Sequence, residues 1–270
     1  MKQNSPELSS EQNPPKIVFA GDRDISVRIL RFIIQQGTKP ICLLVSDDSR
    51  ASHAQELVAL CSHLDTSRIL KGNQFRTKSG INLLKKLKVD YIISVHFPYI
   101  FPREVLKIPK HGILNLHPAY LPYNRGWHTP SWAIWEGTPY GATLHFMEEG
   151  IDTGDIINQK HLAILPDDTA NILYKRVKKL EFEVFKETWP SIVSASYTRK
   201  HQSYKEGTTH RKSDIASMQF VDLNAQVRVE DLIRRLRALT TNDINEGAYF
   251  EVDGKSYRMQ LRIVQEDDQE

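Results

Sequence analysis

Apolar and polar positions along the chain fall into two periods. KIVFAGD, from Lys16 to Asp22, is a short apolar run, and ISVRILRFIIQQG after it repeats apolar residues at helical spacing before Gly37. KPICLLVSDD then reads as a buried strand, SHAQELVALCSHL and SGINLLKKLK as helices, and VDYIISVHF as a third strand. The runs ILNL, GATLHFMEE and GDIINQKHLAILP continue as strands. Asp168 is expected to cap a long helix, TANILYKRVKKLEFEVFKETW, that stops near Pro190. Strands alternating with helices predict an α/β fold, a Rossmann-like, mostly parallel sheet with helices on both faces. The pattern turns polar and basic after Ser191, and a small unit follows: VRVEDLIRRLRALT as a helix, then a hairpin turning at Asp253-Gly254. Three segments are expected: a disordered lead over 1–15, a main domain over 16–195, and a small helix-and-hairpin unit over 196–270 that leans on the main domain.

Composition narrows the function classes. A net charge of +3 over 270 residues argues against nucleic acid as a partner, and no apolar run approaches the length of a membrane span. The basic stretch from Arg199 to Lys212 reads as a solvated surface loop that could also meet phosphates. MKQNSPELSSEQNPPK has no apolar core of a signal peptide, and the only two cysteines, Cys42 and Cys61, sit in strand and helix patterns. Buried thiols in a reducing cytoplasm are expected. The ten histidines lack the paired spacing of zinc sites, so no metal is expected, and AGDRDIS lacks the three glycines of a dinucleotide turn.

The chemistry concentrates between His111 and Ile157. Asn115, His117, His145 and Asp152 lie at strand ends and turns, where open α/β folds place ligands. Each alone reads as a turn former or a structural polar group. Together, an amide, an imidazole and a carboxylate can polarise a carbonyl and move a proton, which is acyl transfer without a covalent enzyme intermediate.

NLHPAYLP followed by HFMEEGIDTGDII resembles the formyltransferases that use N10-formyltetrahydrofolate, over roughly Lys16 to Pro190. The resemblance implies Asn115, His117 and Asp152 as the catalytic set. It places the folate against His145, Gly150, Ile151 and the HFPYIF loop, with Phe97, Tyr99, Ile100 and Phe101 as its contacts. NRGWHTPSWAI and RALTTNDINEGAYFEVDGKSY are similar to the branch that formylates nucleotide-linked amino sugars, such as a GDP- or dTDP-linked 4-amino-4,6-dideoxyhexose of surface glycans or O-antigen. For that acceptor the implied contacts are Tyr123, Asn124, Arg125, Gly126, Trp127, His128 and Thr129, with His210 and Arg211 on the diphosphate. A homodimer is implied, its small C-terminal unit serving substrate binding or dimerisation. The alternatives are a methionyl-tRNA or glycinamide-ribonucleotide type of formyltransferase, and a folate- or nucleotide-sugar-binding protein without turnover.

Overall fold

In the computed structural model, residues 14–47, 49, 51–203 and 205–266 are described. The expected lead over 1–15 lies, but for its last two residues, outside them. In chain order the elements are β1 (Ile17–Gly21), α1 (Arg23–Gln35), β2 (Cys42–Val45), α2 (Ala54–Leu60), β3 (Ile69–Lys71), α3 (Lys78–Leu87) and β4 (Tyr91–Val95). There follow α4 (Arg103–Leu106), β5 (Gly112–His117), β6 (Arg125–Gly126), α5 (Thr129–Glu136), β7 (Gly141–Phe146), β8 (Ile156–His161) and α6 (Ala170–Val193). The small unit comprises β9 (Thr209–His210), α7 (Ala216–Gln219), α8 (Val229–Leu239), β10 (Ala248–Val252) and β11 (Lys255–Met259).

Seven strands form one sheet in the order β3-β2-β1-β4-β5-β7-β8. Pairing is parallel from β3 across to β5 and antiparallel for β5 with β7 and β7 with β8. Strand alternation divides the core in two. Ile17, Phe19, Leu43, Val45, Tyr91, Ile93, Leu114 and Leu116 pack against α1, α2 and α6. Val18, Ala20, Cys42, Leu44, Ile92 and Ile113 face the opposite way, onto α3, α4 and an aromatic cluster. Each fully buried Leu, Ile or Phe contributes about 1.5–3 kcal/mol, so this division fixes the register of every strand. A third, smaller core joins Trp132 of α5 to Ile215, Met218, Leu239 and Ala248 of the C-terminal segment.

Four local features depart from the sequence expectation. Thr169, not Asp168, caps α6: its hydroxyl accepts from the Ile172 N–H at 3.4 Å. The Asp168 carboxylate instead accepts from Leu165 N–H and pairs with Arg176. The helix also runs through Pro190 to Val193. Proline this near a C-terminus costs one backbone bond, and buried Trp189 and Ile192 hold the last turn on the core. The three-residue edge strand β3 carried no visible period in sequence. Helix α5 was hidden because Ser131, Trp132, Ala133 and Ile134 are buried in succession, leaving no polar face to mark it. The hairpin is as expected, its turn made by Asp253 at φ 51° and Gly254 at φ 71°. Among the described residues, no helix is long and apolar enough to cross a membrane.

Candidate active site

The site is built from strand parity. Leu114 and Leu116 fill one core and Ile113 the other, so the two-residue period puts Asn115 and His117 on the Ile113 face of β5. In the antiparallel neighbour β7, His145 is the register partner of Asn115, and Thr143 that of His117. Directly opposed residues project from the same face, so the imidazole of β7 stands beside the amide of β5. The turn between β7 and β8 brings in Asp152, which sits at φ 51°, in the left-handed region.

These four side chains form one cluster. The Asn115 amide nitrogen lies 3.3 Å from His145 Nε2 and 3.4 Å from Asp152 Oδ1. Asp152 Oδ1 is 3.5 Å from His145 Nε2, and Oδ2 is 3.6 Å from His117 Nε2. The shortest contact to the carboxylate comes from the Gly126 backbone N–H, at 2.9 Å from Oδ2. Gly126 is required there. Its φ is 92°, and a Cβ would lie 2.2 Å from the His210 carbonyl oxygen.

Carbonyl partners fix the histidine tautomers, because a carbonyl only accepts. His145 Nδ1 donates to Phe146 O at 2.8 Å, which turns Nε2 towards Asn115 and Asp152. His117 Nε2 donates to Asn124 O at 3.2 Å, leaving Nδ1 as its own. Burial pushes the His117 pKa below its ordinary value, against the opposing pull of Asp152. Asp152 moves down for a different balance. Burial disfavours its charge, but the His117 and His145 imidazoles as they take up protons, and the Gly126 N–H, outweigh that and hold the carboxyl far below the usual range. At neutral pH the cluster is a neutral His117 beside an ionised Asp152.

On the same sheet face, Phe97, Tyr99 and Phe101 are buried and pack with Phe75 at ring separations of 5.2–6.4 Å. Three of the four residues expected to wall a folate pocket therefore plug the core. Ile100 alone projects outward, 79% exposed, and Arg76 holds its carbonyl. His96, which opens this loop at φ 51°, is anchored from beneath: Nε2 lies 2.7 Å from Glu181 Oε1 and Nδ1 3.0 Å from Tyr174 Oη. Glu181 is fully buried in the middle of α6, and no local pattern in the sequence pointed to this anchor.

The loop from Tyr123 to Thr129 lies against the cluster but divides in role. Asn124 and Arg125 are buried: Asn124 donates to Thr138 and Pro139, and Arg125 to Gln202, Ser203 O and Glu206 O. Thr129 donates to Pro118 O at 2.6 Å. The largely buried His128 stands 3.7 Å from Glu246 of the C-terminal unit, and half-buried Tyr123 flanks the loop. Trp127 is 46% exposed, with the Lys212 ammonium 5.3 Å from its ring. The His210 ring stacks on Trp132 at 3.8 Å, and its buried Nε2 lies 3.1 Å from Glu136 without a hydrogen bond to it. Arg211 is exposed, as are Gly150 and Ile151 beside Asp152.

An amide, a neutral imidazole and a depressed carboxylate thus stand together on one face of the sheet. The chain belongs to the formyl transferase family, whose profile matches residues 18–189. Residues 214–265 match a second profile, the N-formyltransferase dimerization C-terminal domain. Over 193 residues the chain is 31% identical to the methionyl-tRNA formyltransferase of Geobacter sulfurreducens, covering 69% of this chain but only 61% of that protein. It is 33% identical over 181 residues to the dTDP-4-amino-4,6-dideoxyglucose formyltransferase of Mycobacterium tuberculosis, covering 66% of this chain and 74% of that one. The crystal structure of a 4-N formyltransferase from Francisella tularensis superposes with a TM-score of 0.79 at 28% identity, covering 93% of this chain and 98% of that chain.

Proposed function

We propose that the protein transfers the formyl group of N10-formyltetrahydrofolate to the amine of a nucleotide-linked 4-amino-4,6-dideoxyhexose. The observation that carries this is the Asn115–His117–His145–Asp152 cluster, with its neutral imidazole and ionised carboxylate. The choice of a sugar acceptor is supported by the second profile over residues 214–265 and by likeness to the Mycobacterium and Francisella proteins across most of their lengths.

The donor supplies a carbonyl carbon on a nitrogen that can leave; the protein's own groups do the rest. The amine nitrogen forms a bond to that carbon, and the carbonyl oxygen takes the electron pair. Asn115 donates to this oxygen. Its amide hydrogens have only the long contacts at 3.3 and 3.4 Å, so reorienting them loses little. A preorganised donor of this kind is worth about 2.7–4 kcal/mol in rate. His117 takes the amine proton on Nδ1, because Asp152, so far below the usual carboxylate range, is too weak a base. Asp152 then balances the imidazolium. Collapse breaks the bond to the folate nitrogen, which receives the proton from His117. Ile100, Gly150 and Ile151 provide the exposed apolar rim for the pterin, over the Phe97–Phe101 plug. Trp127 offers a ring to the nucleotide, and Arg211 and Lys212 meet its diphosphate, since the largely buried His210 ring is stacked on Trp132.

Exposed Phe220, Leu223, Val227, Val229 and Ile233 lie on the segment matched by the dimerization profile and support a homodimer. Purified protein mixed with N10-formyltetrahydrofolate and dTDP-, GDP- and UDP-linked amino sugars should release tetrahydrofolate with a 4-amino member. Turnover with none of them, or with methionyl-tRNA instead, would overturn the reading.

A further inference from the structure

The left-handed backbone at Asp152 raises the question of what holds it. Gly150 and Ile151 of the same turn are exposed, and the Thr153 hydroxyl is buried without a partner. The hold comes from a residue 50 positions away in sequence, Gln202, which is 2% exposed. Its amide nitrogen donates to Asp152 O at 3.0 Å and to Gly154 O at 2.6 Å. Its amide oxygen accepts from Arg125 Nε at 3.3 Å and Nη2 at 3.1 Å. All four hydrogen-bonding positions of the side chain are used.

These bonds close a ring. Arg125 precedes Gly126, whose N–H holds the Asp152 carboxylate at 2.9 Å; Gln202 holds the Asp152 backbone and Arg125 at once. The segment that carries Gln202 is pinned on both sides. Lys200 exchanges two 2.8 Å backbone bonds with Ile156, and Thr209–His210 pairs with Arg125–Gly126. A glutamine needed only to tie this segment down would be redundant between two such anchors. Its four bonds instead reach Asp152, Gly154 and Arg125, on both sides of the carboxylate.

We infer that Gln202 is a positioning residue for formyl transfer: it locks the Asp152 turn to the Arg125–Gly126 strand so that the carboxylate meets His117. The inference rests on the reading of Asp152 as part of the transfer centre.

Gln202→Glu tests it. The substituted side chain still accepts from Arg125 but presents an oxygen to the Asp152 and Gly154 carbonyls, which it cannot serve. A misplacement of about 1 Å at a reacting group costs on the order of 100-fold, so kcat should fall by about that factor with KM for both substrates little changed. A second readout needs no turnover. Asp152 raises the His117 pKa against burial, so a carboxylate that drifts away lets the imidazole titrate lower still by NMR. Arg125→Lys keeps the charge but cannot span the glutamine oxygen with two nitrogens. It should show the same two changes, and the double variant should be no worse than the more impaired single one. Should Gln202→Glu fail to fold, Arg125→Lys carries the test alone. Near-wild-type kcat and an unmoved His117 titration in a folded variant would overturn the inference, even with a lowered melting temperature. A wild-type protein inert towards every acceptor would instead reject the proposed function, while the His117 titration still decides the role of Gln202.

Discussion

Replacing Asp152 with Asn keeps the shape of the side chain and removes its charge, which isolates the electrostatic part of the account. In the wild type, Oδ2 lies 3.6 Å from the His117 nitrogen that becomes part of an imidazolium when the amine proton arrives. Two unit charges at that distance attract by about 4–5 kcal/mol at an effective dielectric constant of about 20, a value suited to a partly buried pair. The ground state holds a neutral His117, so nearly all of this attraction develops on the way to the transition state. At about 1.4 kcal/mol per decade, Asp152→Asn should lower kcat by about three decades. Affinity for both substrates should change little, because the carboxylate's contacts are with protein groups. The assay is tetrahydrofolate release at saturating donor and acceptor, with circular dichroism confirming the fold. A folded Asp152→Asn protein whose kcat stays within about threefold of wild type would refute the reasoning.

Other expectations follow from single contacts. Gly126→Ala puts a Cβ 2.2 Å from His210 O at a φ of 92°, so the Gly126 N–H must shift off Asp152; activity should fall while nucleotide-sugar binding, measured by calorimetry, persists. The acid limb of kcat should lie below pH 6.5, because burial lowers the His117 pKa and the neutral imidazole is the base; kcat is the quantity to follow, since the free sugar amine also titrates. Stability has the same sign. Folded-state values below the unfolded ones mean that the unfolded chain gains protons first, so the melting temperature should drop as pH falls through 6.5 for His117 and again through 3.8 for Asp152. A melting temperature that rises over the first interval would contradict the neutral buried imidazole. Thr169→Ala should cost about 0.5–1 kcal/mol by urea unfolding, the low end for a cap whose hydrogen bond is 3.4 Å. An unchanged midpoint would show that the cap is idle.

Much of the site was legible because it is made by local rules. The alternation Ile113, Leu114, Asn115, Leu116, His117 marks a strand buried on both faces and already places the amide and the imidazole on one side. What remained hidden is long-range. The pairing of Arg125–Gly126 with Thr209–His210 joins two-residue strands far apart in sequence, too short for any period to show. Gln202 and Glu181 gain their roles only once α6 and the 199–211 segment lie beneath and beside the sheet ends. The HFPYIF loop is visibly aromatic in sequence, but its orientation is long-range: its rings turn inward because Phe75 and the Ile92–Ile113 face offer an apolar seat there. His210 offered a cation in sequence, yet its ring lies largely buried against Trp132.

The central claim is that Asn115, His117 and Asp152 surround one reacting carbon. A crystal structure with a stable formyl-folate and the nucleotide of the acceptor tests it directly. The account predicts the formyl oxygen within hydrogen-bonding reach of Asn115 Nδ2, about 2.7–3.2 Å, and His117 Nδ1 facing the place of the sugar amine. A pterin seated elsewhere, with these three side chains turned away from it, would contradict the account.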